Sequence, residues 1–386
     1  VQTVAYARLR PAVSPERAGL HAARLDALVA HVDALPGRWC AGVVVLAGRG
    51  PYVAVEHAAG RAVRYASWDP HAGRGTELPR HRQVPAGTGT VFDLASLTKL
   101  FTAIAVLQQV ERGTVDLDTG IDRYARRHAG RDAPARGLTL RQLLTHRSGL
   151  RPELPLYACA TRAERIDALW NEEPRTRPGT AVGYSDLNLL LTQQVLELAT
   201  GRGLDALLHE GVLHPLGMEH TRFRPPRSWI PRIAATEDQR TPWAKLDRGM
   251  LRGEVHDENA HALGGVAGHA GLFSTAGDLA VLCRTLLNGG AYGTARILAP
   301  SSVAALLAPP GLGFGVDQPW FMGELAGPLS EGRAAGHTGF TGTSLVLDPV
   351  SDTFLVLLAN TVHPVRRPAD NAPRALAATH LARALR

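Results

Sequence analysis

Residues 41–47 include Val43, Val44, Val45 and Leu46 in succession. The run is short, β-branched and apolar on both alternating faces, which predicts a buried strand. Gly48-Arg49-Gly50-Pro51 turns the chain, and residues 52–57 predict the returning strand. Ahead of this pair, Ser14-Pro15-Glu16 reads as a helix start. Leu25, Leu28, Val29, Val32 and Leu35 follow at helical spacing, and Pro36-Gly37 ends the helix. From residue 96 the apolar period becomes 3.6. It predicts helices over 96–112, 139–146, 162–171, 187–200, 204–212 and 276–288. Thr161 and Glu164 fit a capping box, and Gly113, Gly201 and Gly289 stand where helices should stop. Strands return over 334–338, 342–348 and 353–359, with residues 348–352 as a hairpin turn, and 372–385 predicts a closing helix. Residues 66–90, rich in Gly, Pro, His and Arg, read as a long surface loop, and 222–270 as irregular.

Runs of strands at both ends with helices between them predict an α+β fold: an antiparallel β-sheet flanked by helices, with an inserted all-helical domain. The sheet domain would be discontinuous, 1–95 together with 270–386, with the helical domain at 96–269 and the active site at their interface. No internal repeat or low-complexity tail breaks this order.

Composition narrows the classes. The 386 residues are 45% hydrophobic and 20% charged, ordinary for a globular chain. No apolar run reaches the roughly 20 residues that cross a bilayer, so no membrane span is expected. The net charge of +7 comes almost wholly from arginine: only Lys99 and Lys245 are lysine among 42 basic residues. No basic block with interleaved aromatics occurs, which argues against nucleic acid. Cys40, Cys159 and Cys283 match no zinc spacing and cannot all pair. The chain opens at Val1 without a basic-then-apolar leader; a removed signal peptide would place it outside the cell or in its envelope, and otherwise it would be cytoplasmic.

The scarcity of lysine points to Lys99. Arginine does not give up its proton in a protein, whereas a buried lysine can act as a base. Ser96 lies three residues upstream, on the same helical face. Burial in the apolar 96–112 helix should lower the Lys99 pKa, and first-turn N–H groups beside Ser96 could stabilise an oxyanion. Tyr184-Ser185-Asp186, just before the 187–200 helix, offers a loop tyrosine that can shuttle a proton. His337-Thr338-Gly339 ends a strand whose edge could pair with an extended substrate, Gly339 allowing close approach.

Ser96-Leu97-Thr98-Lys99, Tyr184-Ser185-Asp186 and His337-Thr338-Gly339, in this order and at this spacing, resemble the serine β-lactamase and penicillin-binding-protein (DD-peptidase) superfamily, on its class C β-lactamase side. Phe92–Ala95, Leu143–Leu150 (LLTHRSGL), His214–Met218 and Gly271–Ala276 resemble further segments of that family, so the likeness runs from about residue 14 to the C-terminus. The resemblance implies a small-molecule or peptide substrate and acyl transfer through an acyl-enzyme on Ser96, with Lys99 and Tyr184 handling the proton. It implies an oxyanion hole from the backbone N–H groups of Ser96 and Phe340, substrate contacts from Asp186, His337, Thr338 and Gly339, and no cofactor or metal.

Two positions depart from the commoner pattern. Asp186 stands where an asparagine is usual; an ionised Asp accepts hydrogen bonds but donates none, and it could pair with Lys99. His337 stands where a lysine is usual, and a histidine with pKa near 6.5 would hold a substrate carboxylate only below that pH. The expected activity is therefore hydrolysis of an ester or amide, carboxylesterase- or D-Ala-D-Ala carboxypeptidase-like. The alternatives are a β-lactamase proper, an acyltransferase or peptide cyclase, and a non-catalytic penicillin-binding protein. Among the remaining polar residues, His256, Asp257, Glu258, His261 and His269 fit no metal-ligand spacing and read as a loop at the site mouth. Gly264–Gly268 lacks the Lys-Ser/Thr of a phosphate loop, and Lys245 beside Trp243 reads as a surface residue.

Overall fold

The computed structural model describes residues 6–129 and 137–385. Helix α1 (Ala22–Asp33) precedes the hairpin β1 (Gly42–Arg49) and β2 (Tyr52–Val63). The helices α2 (Thr98–Glu111), α3 (Arg162–Asn171), α4 (Asp186–Thr200) and α5 (Ala276–Leu287) follow. Strands β3 (Ala335–Thr338), β4 (Ser344–Asp348) and β5 (Thr353–Ala359) then lead into α6 (Ala372–Ala384).

The first and last strands form one sheet. β5 pairs antiparallel with β1 from Thr353↔Arg49 to Ala359↔Val43, and β4 and β3 continue outward from β5. The apolar run 43–47 is explained by burial on both faces. Val43, Val45 and Ala47 pack with Leu25, Leu28 and Val32 of α1 and Ala377 and Leu381 of α6. Val44 and Leu46 face the opposite core, with Leu279 and Leu282 of α5 and the α2 side chains. β5 divides the same way: Leu355 and Leu357 to one core, Phe354 and Val356 to the other.

Four local expectations change. Ser14-Pro15-Glu16 starts only a 3-10 turn (Pro15–Ala18), stopped by Gly19 at φ 70°, and α1 begins at Ala22. The stretch 66–90 is not all loop: Tyr65–Asp69 and Arg74–Glu77 pair as a hairpin, because a Gly-containing turn needs few residues to reverse the chain. Ser96 lies in a 3-10 turn (Ala95–Leu97) rather than in the α-helix, which starts at Thr98. The 204–212 helix is α only over Leu204–Leu208 and widens to π geometry over His209–Leu213. The capping box at Thr161 and Glu164 is present, and Gly201 ends α4 at φ 68°.

Candidate active site

The turn that carries Ser96 is held from three sides. Asp93, almost fully buried, accepts the Ala95 N–H through Oδ1 (2.9 Å) and the His256 N–H through Oδ2 (2.7 Å). Ala95 is thereby fixed at φ +46°, a left-handed conformation costly for a residue with a Cβ. Thr341 and Thr343, in the turn between β3 and β4, donate to the carbonyls of Asp93 (2.7 Å) and Leu94 (3.0 Å). Gly339 fits between these groups because it has no side chain: a Cβ there would lie 2.0 Å from Thr343 Oγ1 and 2.4 Å from Leu94 O. Arg374 of α6 donates to the Gly339 carbonyl at 2.9 Å. β3 and the turn carrying Ser96 are thus locked together by side-chain donors on backbone carbonyls and by the close approach of Gly339.

Lys99 is completely buried in α2 and donates to Ser96 Oγ at 2.7 Å. It also donates to the His269 carbonyl at 3.3 Å and lies 2.8 Å from Asp186 Oδ1, an ion pair whose approach is off the hydrogen-bond direction. Tyr184 donates its hydroxyl to Ser96 Oγ at 3.1 Å, with Lys99 Nζ 5.0 Å from its ring centre. Ser185 is the N-cap of α4, its Oγ accepting the Leu187 N–H at 3.2 Å, which sets Tyr184 before the helix and Asp186 in its first turn. Ser96, Lys99, Tyr184 and Asp186 therefore meet, the first two as their spacing suggested and the last two as the resemblance implied.

Of the two expectations for Lys99, burial lowering its pKa or pairing with Asp186 raising it, the second prevails. Burial alone would drive the ammonium down, but Asp186 and then Tyr184 outweigh it and hold its pKa above the ordinary lysine value. Asp186 is held below the usual carboxylate range: burial opposes ionisation, and Lys99 and His269 overcome it. Behind Asp186, His269 Nε2–H donates to Asp257 at 2.9 Å. Burial there is again outweighed, so the imidazole stays above its ordinary value and Asp257 below its own. Oxygens of Asp186 and Asp257 and a His269 nitrogen lie within 4.8 Å of one another, a grouping that could ligate a cation. Lys99 and His269 already supply positive charge to both carboxylates there.

His337 donates its Nδ1–H to the Thr338 carbonyl at 2.6 Å, leaving Nε2 as an acceptor. Burial and then the nearby Lys99 push its pKa down to about 4. This direction moves the switch expected near pH 6.5 well below it. The strip Gly315–Val316 pairs only with Ala335 and Gly336, so it leaves the outer edge of β3 open at His337 and Thr338. Phe340 follows with its ring half-exposed and stacked on His256, centroids 5.6 Å apart. No hydrogen bond joins the backbone N–H of Ser96 or of Phe340 to another described residue.

Sequence reasoning gave no role to His146. Its ring lies 4.6 Å from that of Tyr184, and its Nδ1 accepts from the Ser185 N–H (3.2 Å) and Asn188 Nδ2 (2.9 Å). Burial and Lys99 hold its pKa at about 3, so the proton sits on Nε2. Its one local signal is a backbone φ of +52°. Lys245 is exposed, as expected of a surface residue; it stands on the cleft lining and pairs with Glu153 at 2.8 Å.

All of this opens into a cleft of about 1190 Å³. His256, Asp257, Glu258 and His269 line it, but His256, Glu258 and His269 are buried in its wall and floor rather than forming an exposed mouth loop, and His261 is not among the lining residues. Val182, Trp320 and Phe340 line it too, and are 66%, 51% and 52% exposed. One wall is a buried ionic group in which Glu237 binds His256 and Arg366, and Arg366 also binds Glu258. No helix among the described residues is long and apolar enough to cross a membrane.

The Beta-lactamase family pattern matches residues 25–379. A protein of Escherichia coli (strain K12) named "Putative D-alanyl-D-alanine carboxypeptidase" is 33% identical over 389 residues, covering 93% of this chain and 87% of that one. A Salmonella typhimurium protein of the same name is 30% identical over 390 residues, covering 93% and 88%. Among solved structures, a penicillin-binding-protein homologue from Caulobacter crescentus superposes with a TM-score of 0.70 at 20% identity, covering 95% of this chain and 99% of that one. A class C β-lactamase from Rhodobacter sphaeroides gives 0.66 at 22%, covering 93% and 98%.

Proposed function

Since the chain belongs to the Beta-lactamase family, we propose that it is a serine hydrolase that cleaves an ester or amide through an acyl-enzyme on Ser96. The observation that carries this reading is Ser96 Oγ held at once by Lys99 Nζ (2.7 Å) and the Tyr184 hydroxyl (3.1 Å) on the floor of the cleft. Ser96 Oγ attacks the substrate carbonyl. Lys99 and Tyr184 take up its proton and return one to the leaving group, as general catalysts commonly worth 10²–10⁴-fold. The unpartnered N–H groups of Ser96 and Phe340 receive the oxyanion, a preorganised contribution that needs no rearrangement during reaction. The open edge at His337 and Thr338, with Gly339 beside it, takes the extended part of the substrate. Water then releases the acyl group.

The names of the relatives support a D-alanyl peptide as substrate. The neutral His337 supports one whose reacting end is uncharged, such as an ester. In this reading the site lies between a sheet domain (1–95 with 270–386) and a helical domain (96–269).

Intact-protein mass spectrometry after exposure to benzylpenicillin, nitrocefin and p-nitrophenyl acetate, beside Ser96→Ala, tests the proposal. Ester or peptide turnover with a transient adduct on wild type alone is expected. Rapid nitrocefin turnover would make it a β-lactamase, and ester turnover that needs an added alcohol or amine would make it an acyltransferase. No adduct and no turnover would make it a non-catalytic binder.

A further inference from the structure

Arg374 occupies a position that is unfavourable for a cation in two ways. It is 6% exposed, and its guanidinium donates to two neutral groups: Nη1 to the Asn371 side-chain oxygen and Nη2 to the Gly339 carbonyl. Nε has no hydrogen-bond partner among the described residues, and the Trp39 ring centre lies 5.3 Å from Cζ. Asp370, the acid whose charge reaches it, is exposed and accepts the Ala372 N–H instead. Arg366, in the cleft wall, binds two carboxylates. A buried cation without such a partner is destabilising. Arg374 also stands third in α6, at the end of the helix dipole that disfavours positive charge. Burial pulls its pKa down to about 10, which still leaves it charged at neutral pH.

The Gly339 carbonyl and the Phe340 N–H belong to one peptide unit. The carbonyl accepts the Gly342 N–H at 3.0 Å as well as Arg374 Nη2 at 2.9 Å. The Phe340 N–H has no partner among the described residues, and Phe340 lines the cleft. The Gly342 contact, with the Gly339 N–H on the Thr343 carbonyl at 2.7 Å, already fixes the plane of this peptide. What Arg374 adds is charge.

We propose that Arg374 polarises the Gly339–Phe340 peptide and so makes the Phe340 N–H a stronger donor to the oxyanion. A cation on the carbonyl oxygen draws electron density from the nitrogen through amide resonance, and hydrogen bonds in series strengthen one another. A charged donor has roughly twice the strength of a neutral one. The gain rises as negative charge builds on the substrate oxygen, so it favours the transition state over the bound substrate. Arg374 touches no reacting atom; it is a positioning residue that acts through the peptide. The missing counter-charge fits this role, because a carboxylate on the guanidinium would cancel its field at Gly339.

The inference rests on the acyl-enzyme reading and its oxyanion hole, and the experiment separates them. Burst and steady-state kinetics with p-nitrophenyl acetate, and inhibition by phenylboronic acid, compare wild type, Arg374→Gln, Asn371→Asp and Ser96→Ala. Phenylboronic acid bonds to a serine Oγ as a tetrahedral adduct and presents an oxygen where the oxyanion would sit. Arg374→Gln removes the charge. It is expected to lower kcat and kcat/KM together by about tenfold, with KM within about threefold of wild type, and to weaken phenylboronic acid by a similar factor. Asn371→Asp keeps Arg374 and sets a carboxylate on its Nη1. An acid at the N-cap of α6, paired with a buried arginine, should hold or raise the melting temperature, yet kcat should fall by about threefold or more.

A folded Arg374→Gln with wild-type kcat, or with its loss confined to KM, would overturn the inference. A fall in kcat with phenylboronic acid binding unchanged would overturn it too, since the effect would then lie away from the oxyanion. Asn371→Asp with wild-type kcat would overturn it even if Arg374→Gln did not fold. Ser96→Ala that still forms a burst would instead bring down the acyl-enzyme reading.

Discussion

Two buried ionic groups face the same cleft and are built differently. Around Glu237 both carboxylate oxygens are occupied: they take the His256 ring N–H at 2.8 Å and two Arg366 guanidinium N–H groups, and one also accepts the Arg366 backbone N–H at 3.1 Å. Arg366 then reaches Glu258. Around Lys99 the group is incomplete. The Asp186 contact is off-axis, and the buried His269 Nδ1 has no hydrogen-bond partner among the described residues. A saturated network has one low-energy arrangement and holds shape; an unsaturated one has several close in energy and can move a proton. The first belongs to the wall of the cleft and the second to its floor.

Mutations can break this contrast. Ser96→Ala should have the largest effect, lowering ester turnover by about 10³-fold or more with an unchanged melting temperature. Substantial turnover by that variant would remove the floor from the chemistry. Lys99→Arg should be as damaging as Lys99→Ala, about 10²–10⁴-fold, because arginine keeps the ion pair with Asp186 yet does not release its proton. Steady-state kinetics that rank Lys99→Arg near wild type would defeat the distinction.

The wall should answer in stability instead. Glu237 is held down to about 2, against an ordinary 4.5: burial would raise it, and His256 and Arg366 outweigh that. A depressed carboxyl contributes stability that is fully present above pH 4.5 and is lost as pH falls towards 2, here about 3 kcal/mol. Denaturant melts of Glu237→Gln should show a loss of similar size at pH 7, with kcat within about threefold of wild type; a large kcat loss without destabilisation would reverse the assignment. His337 should give the smallest effect. With its pKa near 4, the ratio of anionic to neutral ester turnover should be flat from pH 5 to 8. A change in that ratio centred near pH 6.5 would mean His337 is far more solvated than its place implies.

The sheet and the juxtaposition of Ser96 with Lys99 were legible because their signals are local. Val43–Leu46 buries both faces of one strand, the α1 stripe keeps its period, and Ser96 and Lys99 are one helical turn apart. The sign of the Lys99 shift was not legible as a magnitude. Burial is a property of α2 itself, but the opposing charge of Asp186 arrives from α4, and local pattern does not say which prevails. His146 escaped for the same reason: its partner Asn188 is distant in sequence. The hairpin within 65–77 was hidden by short strands whose glycines and arginines carry no alternating pattern.

The absent Cβ of Gly339 has a consequence for redesign. The backbone at the end of β3 is clasped by Leu94, Thr343 and Arg374, so the distance between that strand and Ser96 is not an adjustable parameter. Val182, Trp320 and the Phe340 ring stand at the rim, largely in solvent. A library aimed at new acyl groups should vary those three side chains and leave the clasp untouched. Variants at the rim are expected to trade one substrate for another, and variants at the clasp to lose all substrates together.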